Sequence, residues 1–227
     1  MPGRPLAPLL VLTLAVVSPA RSQNVVLDEG AFRVLYHGEP VGSETFTIRR
    51  LGQGSEAHLI ANAVIEVDLP NGPEQIKPLL RTGADLSLSA YQVEVSGLHP
   101  TEIAVTSTGR RLVARTRSPT GEQEREFRAA ANGVLIEEGV AHQYWFLAQL
   151  GQGAEVTVLI PRAGRQSRIQ VRSVQPATLR VAGEAVEARH VTFDVDGRMH
   201  EVWYDTGDRV LRVEISDTGF VAERTSQ

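Results

Sequence analysis

Short runs in which apolar and polar residues alternate recur along most of this chain, and they constrain its fold more than any other feature. One run places Leu59, Ala61, Ala63, Ile65 and Val67 on the same side of an extended segment. Runs of this kind, at a spacing of roughly 8–12 residues and separated by turn residues, are typical of antiparallel β-sheets. Polar residues fill the other side of each run, which indicates a sheet covered on a single face.

Together the runs predict an all-β, mainly antiparallel fold of roughly 10–13 strands. We expect so many strands to form a strongly curved sheet or an incomplete barrel, with one α-helix packed on or into it. The length is compatible with a single β-rich domain over residues 23–227. The chain contains no Cys, so the domain is held together by packing without disulfides.

The predicted helix runs from Val140 to Leu150, where the two-residue period breaks. Apolar residues at helical spacing in this segment are Val140, Tyr144, Leu147 and Ala148. Glu137 and Glu138 suit the positive N-terminal end of a helix, and Gly151 suits its C-terminal cap.

Residues 1–22 have the pattern of a cleavable secretory signal peptide. A positive charge at Arg4 precedes an apolar run from Leu9 to Val17, and small residues then allow cleavage after Ala20 or after Ser22. The apolar run is about half the roughly 20 residues that span a membrane. We therefore expect a protein exported to the periplasm or the extracellular space, without a lipid anchor and not integral to the membrane.

Composition and motif spacing argue against several classes of function. The absence of Cys removes Cys-zinc sites and iron–sulfur clusters. The net charge is −4, and Glu residues interrupt the densest basic cluster, residues 110–125, so nucleic-acid binding is not expected. No glycine-rich loop precedes a helix, and no cofactor is predicted.

An Asp196–Gly197 turn predicts a hairpin that pairs Val195 with Arg198. Continuing the register pairs Phe193 with His200 and His190 with Trp203. His190 and His200 would then lie on opposite faces, which argues against a shared metal site.

A hydrolase would have to assemble its site from distant residues, because no G-x-S-x-G motif is present. This alternative predicts that His142 or His190 lies in a cleft, hydrogen-bonded to a carboxylate and to a Ser hydroxyl. Glu137 or Glu138 beside His142 is a candidate acid–base pair, although helix capping also explains these residues.

Two segments that bracket nearly the whole mature chain resemble those of a family of bacterial exported proteins of unknown function. Residues 36–44, YHGEPVGSE, resemble its Y-x-G-x-x-V-G start, and residues 201–214, EVWYDTGDRVLRVE, resemble its V-W-x-D-x-x-x-R-V-L-R-V-E end. The ending is also similar to that of lipoprotein-carrier domains, in which a curved half-barrel holds acyl chains. These resemblances imply a curved β-fold and, through the second, lipid binding.

Our leading hypothesis is a non-enzymatic envelope protein that binds a lipid or another apolar or amphipathic ligand. The candidate lining residues are Tyr144, Trp145, Phe146 and Trp203. The three consecutive aromatic residues equally suit a plug that fills the open end or face of the sheet. The main alternative is an interaction module that docks an envelope protein through an exposed strand edge or face.

Overall fold

The computed structural model describes residues 24–130 and 133–225, so the predicted signal peptide lies outside the described residues. Within them, fifteen strands form one sheet, which confirms the predicted all-β class and exceeds the predicted strand number. The strands are β1 (Asn24–Tyr36), β2 (Glu39–Leu51), β3 (His58–Leu69), β4 (Gly72–Gly83), β5 (Leu88–Ser96), β6 (Thr101–Thr108), β7 (Arg111–Ser118), β8 (Gly121–Arg128), β9 (Val134–Leu135), β10 (Glu155–Ile160), β11 (Arg165–Val181), β12 (Glu184–Val195), β13 (Arg198–Tyr204), β14 (Val210–Ile215) and β15 (Phe220–Arg224). Short 3-10 helices span Gly54–Glu56, His142–Leu147 and Ser216–Thr218.

The sheet is a long meander whose first and last strands lie side by side. Its order runs from β8 back to β1, passes to β15, and continues down to β9. All neighbours pair antiparallel except β9 and β10, which are parallel. The strands β8 and β9 are therefore the two edges, and the sheet is not closed into a barrel by a ladder of backbone hydrogen bonds.

The Asp196–Gly197 hairpin forms in the predicted register. Val195 pairs with Arg198, Phe193 with His200 and His190 with Trp203. His200 is buried and His190 is half-buried on the opposite face, as the alternation of strand side chains requires.

The hydrophobic core lies on one face of the curved sheet and is completed by the segment between β9 and β10. We call residues 136–150 the plug. Its side chains His142, Gln143, Tyr144, Phe146 and Leu147 are buried. The predicted α-helix over Val140–Leu150 is wrong in type and length, because the structure has a 3-10 helix of six residues in its place.

Among the described residues, no helix is long and apolar enough to cross a membrane. Over the same residues, no group of three or more His, Cys, Asp and Glu side chains has a geometry that could hold a metal ion.

Candidate functional site

A cavity of about 420 Å³ opens on the core side of the sheet, between strands β5–β8 and the turn from β10 to β11. We call it the mouth cavity. Its floor is apolar, formed by Val95, Ile103, Ala114 and Phe127. Its charged lining residues are Glu74, Arg125 and Arg162, and His99 lies at its rim. Alternation produces this lining, because every second residue of each strand faces the core side.

Beside the mouth cavity, the two ends of the sheet approach each other through side chains. Arg125 Nη1 donates a hydrogen bond to the Gly164 carbonyl oxygen at 2.9 Å. Further along, Gln166 Nε2 donates to the Arg128 carbonyl oxygen at 2.7 Å. Gly164 has a φ of +60°, and a Cβ there would lie 2.4 Å from Arg125 Nη1. Glycine at this turn thus allows the guanidinium to lie directly against the backbone.

Arg162, a lining residue of the mouth cavity, is bound to a buried carboxylate. Glu137 accepts hydrogen bonds from Arg162 N at 3.1 Å and from Arg162 Nε at 3.2 Å. The same guanidinium donates to the Glu138 carbonyl oxygen and lies 3.6 Å from Glu74 Oε1. Burial raises the pKa of Glu137 to about 7, and the nearby Arg162 charge opposes this rise. Glu137 is therefore a carboxyl group that changes charge near neutral pH.

Two further polar groups adjoin Glu137. Gln143 Oε1 accepts a hydrogen bond from the Glu137 backbone N–H at 2.7 Å. The Tyr91 hydroxyl interacts electrostatically with Glu137, although no hydrogen bond of ordinary geometry joins them among the described residues. Burial raises the pKa of Tyr91 well above its usual value, so this hydroxyl stays protonated at neutral pH.

The plug is anchored by Glu44, a buried residue of β2. Its carboxylate accepts hydrogen bonds from Ala141 N at 2.7 Å, His142 N at 2.9 Å and His142 Nδ1 at 2.7 Å. The His142 ring also stacks on Phe46, with ring centroids 5.6 Å apart. Glu44 therefore satisfies the free N–H groups at the start of the 3-10 helix, whereas the sequence predicted Glu137 and Glu138 at this end.

A second buried pair holds the other side of the plug. The Tyr144 hydroxyl and His200 Nδ1 lie 2.5 Å apart. Burial lowers the pKa of His200 to about 4 and raises the pKa of Tyr144. At neutral pH a neutral imidazole thus accepts a hydrogen bond from a protonated phenol. Tyr204 adds a hydrogen bond from its hydroxyl to the Tyr144 carbonyl oxygen at 2.9 Å.

A larger groove of about 660 Å³ lies on the opposite face of strands β4–β8. We call it the outer groove. Its walls carry charges of both signs, and most of them neutralise each other. Arg115 Nε lies 2.7 Å from Glu124 Oε2, and Arg117 Nε lies 2.7 Å from Glu122 Oε1. The mouth cavity is smaller, but it lies on the core side of the sheet, where an apolar floor and Arg125 line the same cavity, and this makes it the better candidate for an amphipathic ligand.

The four residues that the sequence singled out do not meet around one cavity. Tyr144 and Phe146 are buried in the core, and the half-buried Trp145 packs edge-on against Phe146 with centroids 5.2 Å apart. Trp203 lies on the outer face, where its ring stacks on that of His190 with centroids 4.3 Å apart. The Arg212 Cζ lies over the Trp203 ring, 5.5 Å from its centroid. None of the four lines the mouth cavity or the outer groove.

The two histidines of the hydrolase alternative each contact a carboxylate. His142 binds Glu44, and His190 Nε2 lies 2.5 Å from Glu201 Oε2. The hydroxyl near His190 belongs to Thr192 and donates to Glu201 at 2.8 Å rather than to the imidazole. Among the hydrogen bonds of the described residues, neither histidine has a Ser hydroxyl partner.

Arg125 and Arg162 are the site residues that sequence reasoning missed. A usable signal was present in β8, whose core-side positions are Gln123, Arg125 and Phe127. Two polar residues on the core side of a strand indicate that this part of the inner face is accessible to solvent. Arg162 gave no such signal, because it lies in a turn and its partner Glu137 is 25 residues away.

No protein-family model matches the sequence, and no curated protein matches it. Among solved structures, the chain is similar to a beta-barrel-like protein of the domain of unknown function DUF1849 from Brucella abortus. The two share 10% sequence identity and a TM-score of 0.47, over 87% of this chain and 94% of the other. The similarity to lipoprotein-carrier domains stays a prediction.

Proposed function

We propose that this is an exported bacterial envelope protein that binds an amphipathic ligand in the mouth cavity. The observation that carries the proposal is the lining of that cavity, an apolar floor beside a cationic rim. Small-molecule sites are typically cavities of roughly 300–1,000 Å³ in which apolar surface lies beside a few polar groups that orient the ligand. The volume of about 420 Å³ lies within this range.

The plug is a poor place for the same ligand. Its aromatic side chains Tyr144 and Phe146 are buried against the core and already in contact with protein. A ligand there would have to displace packed side chains, whereas the mouth cavity is open. Tyr144 and Phe146 therefore belong to the packed core and not to the candidate ligand site.

Two alanines on opposite faces of the same strand pair provide a matched test. Ala114 faces the mouth cavity, and Ala104 faces the outer groove. We expect Ala114→Leu to weaken binding of sodium decanoate at least tenfold, because the larger side chain fills the cavity. Ala104→Leu should leave affinity within about twofold, since a surface substitution away from the site changes little. Isothermal titration calorimetry of the chain from Gln23 measures both.

The reverse pattern, with Ala104→Leu weakening binding and Ala114→Leu not, would place the ligand in the outer groove and contradict the proposal. A wild-type chain that binds neither decanoate nor any other ten-carbon amphiphile would also contradict it. Export is tested separately by N-terminal sequencing of the protein from the periplasmic fraction. The expected mature N-terminus is Arg21 or Gln23, and a chain that still begins at Met1 argues against cleavage.

A further inference from the structure

The charges around the mouth cavity are not equally available to a ligand. Arg162 is engaged by the Glu137 carboxylate and lies near Glu74. Arg125 donates to the carbonyl oxygen of Gly164, and among the described residues no carboxylate forms an ion pair with it. A guanidinium has five N–H donors in a planar fork, so one bond to a carbonyl leaves donors for a second acceptor.

The position of Arg125 is set by its surroundings. Its strand neighbours Gln123 and Phe127 line the same cavity, which directs the side chain to the core side of β8. The missing side chain at Gly164 gives the guanidinium its place at the rim. Opposite Gln123, on β7, lies Thr116, which also lines the cavity. A cation and neutral hydrogen-bonding groups thus lie beside the apolar floor.

We propose that the mouth cavity selects amphipathic ligands with an anionic head group, a carboxylate or a phosphate, which Arg125 binds. This inference rests on the proposed function and names the ligand class. The apolar tail lies against Val95, Ile103 and Ala114, and the head group reaches the guanidinium. Arg is suited to this task because its fork matches carboxylate and phosphate oxygens in pairs.

Four ligands with ten-carbon chains separate the two proposals. They are sodium decanoate, decyl phosphate, decyltrimethylammonium and the neutral decyl maltoside. The wild-type chain should bind the two anions about tenfold or more tightly than the cation, because charge-assisted hydrogen bonds form with the anions alone. A preference between the two anions tells whether the head group is a carboxylate or a phosphate.

Arg125→Gln should reduce the affinity for the anions to about that for decyl maltoside and leave the affinity for the maltoside unchanged. The matched control is Arg128→Gln, on the outer face of the same strand, which should change no affinity. Equal binding of cation and anions by the wild type, or unchanged anion binding by Arg125→Gln, would overturn the anion proposal alone. If no ligand of the four binds, the proposed function itself fails.

Discussion

Two buried titrating residues have opposite effects on how stability depends on pH. The pKa of Glu137 is about 7 in the folded protein, above its ordinary value, so its contribution to stability is present at low pH and is lost as the pH rises towards 7. The pKa of His200 is about 4, below its ordinary value, so its contribution is present above about pH 6.5 and is lost as the pH falls towards 4. Between about pH 4.5 and 6.5 the two effects oppose each other.

A substitution that removes one of these two titrating groups should leave the pH dependence of stability caused by the other. In Glu137→Gln, we expect the free energy of unfolding to fall as the pH is lowered from 6.5 to 4.5. In His200→Asn, it should rise over the same interval. One proton bound differently by the folded and unfolded states gives a slope of about 1.4 kcal/mol per pH unit, which is the upper bound for each variant. Urea unfolding followed by Trp fluorescence measures the slopes, and parallel curves for the two variants would contradict the assignment.

At the scale of the element, the plug depends on one distant carboxylate. Glu44 accepts three hydrogen bonds from the start of the 3-10 helix, and it is fully buried. Glu44→Gln replaces one acceptor oxygen with a donor that faces backbone N–H groups. We expect a loss of about 2–4 kcal/mol in the free energy of unfolding, as for other buried charged partners.

The matched control for this prediction is Glu94→Gln. Glu94 is exposed on β5 and has no ion pair among the described residues, so its substitution should change stability by less than about 0.5 kcal/mol. Denaturant unfolding measures both variants. A Glu44→Gln variant as stable as the control would show that the carboxylate does not hold the plug.

The same contact explains why the helix prediction was wrong. Apolar residues at helical spacing and Glu137 indicated an α-helix, but the helix starts where Glu44, nearly one hundred residues earlier, binds Ala141 and His142. The segment is also buried on nearly all sides, so it has no polar face to present to solvent. A short 3-10 turn suits such a buried connection, and local sequence contains no signal for the distant partner.

At the scale of the whole molecule, alternation predicted the sheet well and the strand number less well. The strand β4 lacks a clear run because it contains Pro73 and Pro78, which argue against a central strand. The structure accommodates Pro78 at a gap in the β3–β4 pairing, while it still lies opposite Val93 of β5. The strand β9 has two residues, too few for a period to appear.

The candidate site was less predictable than the fold, because it forms between strands far apart in the chain. Arg125 meets Gly164 across 39 residues, and that approach follows from the curvature of the whole sheet. The consecutive aromatic residues 144–146 stand out in the sequence, but Tyr144 and Phe146 are buried in the core and Trp145 packs against it. The sequence does contain the polar residues on the core side of β8. They indicate a candidate site only when β8 is known to be an edge strand.

The most direct test of the ligand site is a set of nuclear Overhauser contacts between decanoate and the methyl groups of the chain from Gln23. Methyl-labelled protein offers Val95, which lines the mouth cavity alone, and Leu79, which lines the outer groove alone. We predict contacts from the tail of decanoate to Val95 and none to Leu79. Contacts to Leu79 without contacts to Val95, or no contacts at saturating decanoate, would contradict the account.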